Sequence, residues 1–238
     1  MPWQALASDY DGTLAHEGMV APETWAALEA ARRAGLRLFL VTGRILPELL
    51  QVCDRLELFE HVVVENGAML YNPRTGQQQV LAEPPPPGFI TALQQAGVAP
   101  LISGAVIVAT FQPHQHTVRQ IIASHRLPWE VIMNKDAVMA LPRGVDKAFG
   151  LRHLLAQLGI PPTEVIGVGD AENDLTFLQA CGYRVAVANA LPEVHALADW
   201  TAPAPRGQGV VQLLERWRQG SLPSCNPPAR VSGPPGVS

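Results

Sequence analysis

Ser8-Asp9-Tyr10-Asp11-Gly12-Thr13-Leu14 follows directly on the apolar run at residues 3–7. An apolar run that stops at an acid reads as a buried strand reaching the rim of a sheet. On an extended chain, residues two apart point the same way, so Asp9 and Asp11 face one side and Tyr10 the other. Gly12 and Thr13 supply a turn that can expose backbone N–H groups. Two acids at a strand end suit a hard cation such as Mg2+, and either could act as nucleophile or proton carrier. A solvated acidic turn would read the same in isolation, so the flanking chain has to decide.

Outward from this stretch, strand and helix signals alternate. Pro22 stands at a first helical position, and Trp25, Leu28 and Ala31 keep helical spacing up to Gly35. Residues 36–41 form a second apolar strand, broken by Thr42-Gly43-Arg44, with a helix expected over 45–56. A third strand, 62–64, ends in Glu65-Asn66-Gly67. Strands separated by helices predict a parallel sheet covered on both faces. The pattern then changes. Residues 69–71 and 77–81 flank the turn Asn72-Pro73-Arg74-Thr75-Gly76, a hairpin signal, and Pro84 to Pro87 form a stiff spacer. Helices at 89–95 and 114–124 and strands at 105–111, 130–133 and 138–141 follow. The first pattern resumes with a helix over 146–158, a strand over 165–168 ending in Gly169-Asp170, and a helix over 173–180. A strand at 184–188, a helix at 192–198, an edge strand at 200–201 and a helix at 210–217 complete it. The predicted class is α/β: a three-layer, Rossmann-like parallel sheet core from residues 1–67 and 143–217, with residues 68–142 as an inserted α+β module. Residues 218–238, rich in Pro, Ser and Gly, are expected to be a disordered tail.

The 238 residues can bury a sizeable core, and 17 basic against 21 acidic residues leave a formal charge of −4 with no basic tract. That argues against nucleic acid as a partner. No apolar stretch is long enough to span a bilayer, which argues against a membrane partner. Cys53, Cys181 and Cys225 lack metal or redox spacing, and the N-terminus lacks the charged and apolar regions of a secretion signal. A cytoplasmic protein is expected. Nothing in the sequence specifies an oligomer.

Ligands of open parallel sheets sit at the carboxyl ends of the strands. Asp9, Thr42, Asn66 and Asp170 each fall just past such an end. Thr42-Gly43-Arg44 reads as a helix cap, or as an anion site built from the Thr42 hydroxyl and the Gly43 amide. Arg44 in a first turn opposes the helix dipole, which an anionic ligand or a salt bridge would explain. Lys147 is misplaced in the same way beside Asp146, a natural N-cap. Asp170 ends a strand between small residues, where with Asp9 it could complete an oxygen-ligand set for Mg2+. His114 and His116 have no third ligand nearby in sequence and read as surface or structural, as do the other histidines.

Asp9-Tyr10-Asp11-Gly12-Thr13-Leu14, Thr42-Gly43-Arg44, Lys147, and Gly169-Asp170 with Asn173-Asp174 together resemble the four motifs of the haloacid dehalogenase superfamily of aspartate-nucleophile phosphatases. The position of the insert resembles the type IIB, or Cof-like, branch, in which many members act on sugar phosphates. The resemblance covers residues 3–217. Ala148 and Ala171 stand where the branch often has glycine, or glycine or serine, and the insert is compact for the branch. The resemblance implies Asp9 as nucleophile and Asp11 as general acid and base. It implies Thr42 and Lys147 on the phosphoryl group, where Gly43 and Gly12 are expected to add backbone contacts, and Mg2+ on Asp9, the Asp11 backbone carbonyl and Asp170. Asn173 and Asp174 would support the metal and Lys147; Arg44 and Asn66, read from their own positions, are expected to contact substrate. The substrate implied is a small phosphorylated metabolite, a phosphomonoester of the sugar-phosphate kind or a related one. A phosphomutase using the same aspartyl phosphate is the first alternative, and a receiver-like phosphate-binding module the second. Arg119, His114 and Lys135 are the insert's candidate readers of the leaving group.

Overall fold

The computed structural model describes residues 3–225. Over these residues twelve strands and eight helices follow one another, with short 3-10 turns between them. The core sheet is built on β1 (Ala5–Ser8), which pairs in parallel with β2 (Arg37–Val41) on one side and β10 (Val165–Gly169) on the other. Parallel pairing extends to β3 (His61–Val64) at one flank and to β11 (Tyr183–Ala186) and β12 (Trp200–Thr201) at the other.

The strand residues divide by parity, as a two-sided buried sheet requires. Leu6, Leu38, Leu40, Val62, Val64, Ile166 and Val168 enter one core. That core is closed by α1 (Pro22–Arg33) and α8 (Arg206–Arg218), which contribute Leu28, Ala31, Val210 and Leu213. Ala5, Ala7, Phe39, Val41 and Val63 enter the opposite core under α5 (Lys147–Leu158) and α6 (Leu175–Ala180). Asp9 continues the parity of Ala5 and Ala7, so it is aimed at the α5 side. Tyr10 goes the other way and is fully buried, its hydroxyl donating to the Gly18 carbonyl at 2.8 Å.

Two boundaries differ from the sequence expectation. The hairpin β4 (Met69–Tyr71) and β5 (Gln78–Val80) was expected in the insert; it extends the core sheet antiparallel from β3 instead. The second domain therefore starts after this hairpin rather than at residue 68. It comprises α3 (Phe89–Gln95), α4 (Gln115–Ser124) and a four-stranded antiparallel sheet in the order β6-β7-β9-β8. Those strands are β6 (Ile102–Ser103), β7 (Val108–Phe111), β8 (Trp129–Asn134) and β9 (Ala137–Pro142), and they enclose a core of their own around Phe89, Leu93, Val118 and Trp129.

The expected loose tail does not hold for residues 219–225. Leu222 packs on the core, Cys225 is buried, and the Trp3 indole donates to the Pro223 carbonyl at 3.0 Å. Residues 226–238 of that expectation lie outside the described residues. All three cysteines are free and buried. Among the described residues no helix is long and apolar enough to cross a membrane.

Candidate active site

The carboxyl ends of β1, β2, β3 and β10 share one rim, and the polar residues after them meet there. Asp9 is 4 % exposed, and its amide donates to the Val168 carbonyl at 3.0 Å, carrying the sheet register one residue past β1. Lys147, the first residue of α5, is fully buried; Asp146 caps that helix by accepting from the Phe149 amide at 2.8 Å. The Lys147 ammonium donates to Asp9 Oδ1 and to Asp174 Oδ1, both at 2.6 Å. The other Asp174 oxygen accepts the amides of Asp170 and Ala171 at 2.8 and 3.0 Å. Asp174 thereby fixes both the lysine and the turn that carries Asp170.

Oxygens of Asp9, Asp170 and Asp174 lie within 4.8 Å of one another. Three carboxylates in a dry pocket repel one another, and each loses hydration that water would supply. Burial, then Asp174, pushes the Asp9 carboxyl up to about 8, with Lys147 opposing and Asp170 adding to the rise. Asp170 is raised for the same first reason, opposed by its bond to Lys135. Burial acts to lower the Lys147 ammonium, but Asp174 and Asp9 overcome it and hold it above the ordinary lysine value. A cluster of acids held so close has a use for a divalent cation, and the donor set is all oxygen, as Mg2+ prefers. The cradle is shaped for a close approach. Gly12 has φ +88°, and a Cβ there would stand 2.4 Å from Asp170 Oδ2. Thr13 Oγ1 donates to Asp170 Oδ1 at 3.2 Å.

Asp11 is turned away from this cluster. Its carboxylate takes a bidentate pair from Arg44, at 2.6 Å from Nε and 2.8 Å from Nη2. Arg44 thus has a protein partner, which is the salt-bridge reading of the sequence. Thr42 is buried, and its hydroxyl oxygen accepts the Arg44 amide at 3.1 Å. The next helix, α2 (Leu46–Val52), starts only at Leu46. Thr42 therefore does not cap it, and the expected helix N-terminus at Thr42-Gly43-Arg44 is replaced by a short loop. Asn66 and Asn173 are joined by a 3.0 Å hydrogen bond, while Asn66 Nδ2 and Asn173 Oδ1 have no protein partner although both residues are buried. Both amides border Gly43.

Two site residues carry no readable signal in the sequence. Glu65 is buried at φ +52°, and its carboxylate accepts the amides of Ala105, Val106 and Ile107 at 2.8, 2.8 and 3.0 Å. It thereby clamps the second domain's β6–β7 loop onto the core. Asn189 donates to the Gly12 carbonyl at 2.9 Å and steadies the turn. Of the insert's three candidate readers, Lys135 reaches the site, donating to Asp170 Oδ2 at 2.8 Å. Arg119 lines a separate groove on the second domain's flank, and His114 bonds the Ala99 carbonyl. Between the domains lies a cavity of about 300 Å3. Asp9, Asp11, Thr42 and Arg44 form its floor, and Ile102, Ile107, Ala109, Phe111 and Met139 its opposite wall.

A family model described as haloacid dehalogenase-like hydrolase matches residues 6–94 and 116–214. The chain belongs to the haloacid dehalogenase-like hydrolases. A phosphoglycolate phosphatase of Methanothermobacter thermautotrophicus is 31 % identical over 227 residues, covering 90 % of this chain and 98 % of that protein. A Thermoplasma acidophilum crystal structure has a TM-score of 0.77 at 18 % identity, covering 92 % of this chain and 99 % of the other. A sugar phosphatase of haloacid dehalogenase subclass IIB has a TM-score of 0.74 at 21 % identity, covering 92 % and 100 %. This hydrolase shares the fold of both, Rossmann-like core and inserted cap together.

Proposed function

We propose that this hydrolase is a Mg2+-dependent phosphatase of small phosphomonoesters that works through a phosphorylated Asp9. The observation that carries the reading is the pairing of Lys147 with Asp9 at 2.6 Å inside a cluster of three acids on one rim. Asp9 Oδ attacks phosphorus, and the bond from phosphorus to the leaving oxygen breaks. Asp11 gives that oxygen a proton, then takes one from the water that hydrolyses the acyl phosphate and releases inorganic phosphate. Asp11 leaves its Arg44 pair to make both transfers. Lys147, the Thr42 hydroxyl and the Gly43 and Gly12 amides hold the phosphoryl oxygens, and the unpartnered Asn66 Nδ2 is a further donor. Asp9, the Asp11 carbonyl and Asp170 would hold Mg2+, with Asp174 and Asn173 supporting; the ion supplies positive charge between two anionic reactants. Phosphomonoester hydrolysis requires on the order of 20 kcal/mol of barrier lowering, so charge compensation of this density is what the chemistry demands.

The cavity favours a compact leaving group. Its cap-side wall carries Ile102, Ile107, Ala109, Phe111 and Met139, with Thr110 Oγ1 and Asn134 Oδ1 as the polar atoms left without a protein partner. Phosphoglycolate, the substrate in the name of the Methanothermobacter relative, is compact and is the first candidate, ahead of sugar phosphates. Phosphate release should be measured across hydroxy-acid and sugar phosphates, with and without Mg2+. Release that needs Mg2+, prefers the short acids and is lost in Asp9→Asn supports the reading. Transfer of the phosphoryl group to a second hydroxyl, with no free phosphate, would contradict it.

A further inference from the structure

Lys135 occupies one of the two residues between the paired Asn134 and Ala137 at the tip of the β8–β9 hairpin. Its φ is +52°, a backbone state that Asn or Gly adopts more readily. A lysine there is better explained by its side chain than by the turn. That side chain crosses from the cap to the core and places its ammonium 2.8 Å from Asp170 Oδ2, while the Lys135 amide donates to Glu172 Oε2 at 3.2 Å.

The charge balance gives this contact its meaning. Lys147 is spent on Asp9 and Asp174. Among the described residues Asp170, fully buried, has Lys135 as its ion-pair partner. A buried carboxylate left without a partner is costly. The lysine side chain, by contrast, is 49 % exposed and can return to water cheaply. A divalent ion on Asp9 and Asp170 would stand against the ammonium at close range and drive it out.

We propose that Lys135 is the resident counter-ion of the metal-free site, a positioning residue that holds Asp170 until a divalent ion displaces it. The cap thereby contributes a charge to the core's metal site, and metal binding competes with a cap-to-core contact. This rests on the divalent-cation reading given above. The ion sees only those molecules in which Lys135 has swung away, so its apparent affinity is reduced by that fraction.

The test is a Mn2+ binding isotherm, with free Mn2+ read by electron paramagnetic resonance and no substrate present. The proteins are the wild type, Lys135→Asn, Lys135→Arg and Asp170→Asn. Asn suits the positive φ, so the first variant keeps its turn. Lys135→Asn should bind Mn2+ about five- to tenfold more tightly, Lys135→Arg close to wild type, and Asp170→Asn should lose the tight site. Equal or weaker binding by Lys135→Asn, with Asp170→Asn still losing the site, overturns the counter-ion role and leaves the metal site standing. Binding by Asp170→Asn equal to wild type overturns both.

Discussion

Asp9 is where the chemistry and the stability of the molecule pull in opposite directions. Its folded carboxyl is pushed from 3.8 up to about 8, so between those values the folded chain holds a proton that the unfolded chain has lost. Its contribution to stability is therefore present below pH 4 and is lost as pH rises through about 8. With chelator present, denaturant titrations from pH 4 to 8 should show wild type losing stability relative to Asp9→Asn, whose amide does not titrate; parallel profiles would contradict this. Gly12 is the second point of tension. A side chain there meets both the left-handed backbone penalty, about 1–2 kcal/mol, and the Asp170 carboxylate. Gly12→Ala should lose about that much stability, and activity with it; a variant with normal activity would mean that the Asp170 approach is not needed. Both residues stand out in the sequence, because an acid and a glycine directly after an apolar run are local signals. Lys135 is legible only as one of three candidate readers of the leaving group, since only the folded cap brings its turn to Asp170.

Glu65 governs how the two domains meet. Three amides of the β6–β7 loop end on its carboxylate, and Gly104 has to be glycine because a Cβ would lie 2.4 Å from Glu65. Removing the acceptor strands buried donors, at about 1–3 kcal/mol for each that water cannot reach. Glu65→Ala should cost about 3 kcal/mol and speed hydrogen exchange at Ala105, Val106 and Ile107 before the core strands are affected. Unchanged exchange at those amides would refute the clamp. No sequence reading reaches this contact: an acid before Asn-Gly reads as a turn, and its partners lie some forty residues on. The hairpin after β3 shows the other limit. Asn72 to Gly76 was correctly legible as a turn, but a turn says nothing about which sheet its strands extend, so the domain boundary came out early. The buried strands of the core were legible because both faces are covered and their apolar runs are unbroken.

Over the whole molecule, the order of strands does most of the work. With β1 central, the ends of β2, β3 and β10 are its neighbours or next neighbours, and residues far apart in the chain become a single site. The C-terminal segment tightens this core from outside. Deleting everything after Arg218 exposes Trp3 and the surface under Leu222, and should cost about 1–2 kcal/mol, read as a Tm lower by several degrees. An unchanged Tm would show that the segment is dispensable. Catalysis of the proposed kind turns on Asp9 accepting a phosphoryl group. The direct measurement is mass spectrometry of peptides from enzyme quenched in acid during turnover of phosphoglycolate with Mg2+. One phosphoryl group on the peptide containing Asp9, absent from Asp9→Asn, is the expected result; turnover with that peptide unmodified, or with the phosphoryl group on another residue, would contradict it.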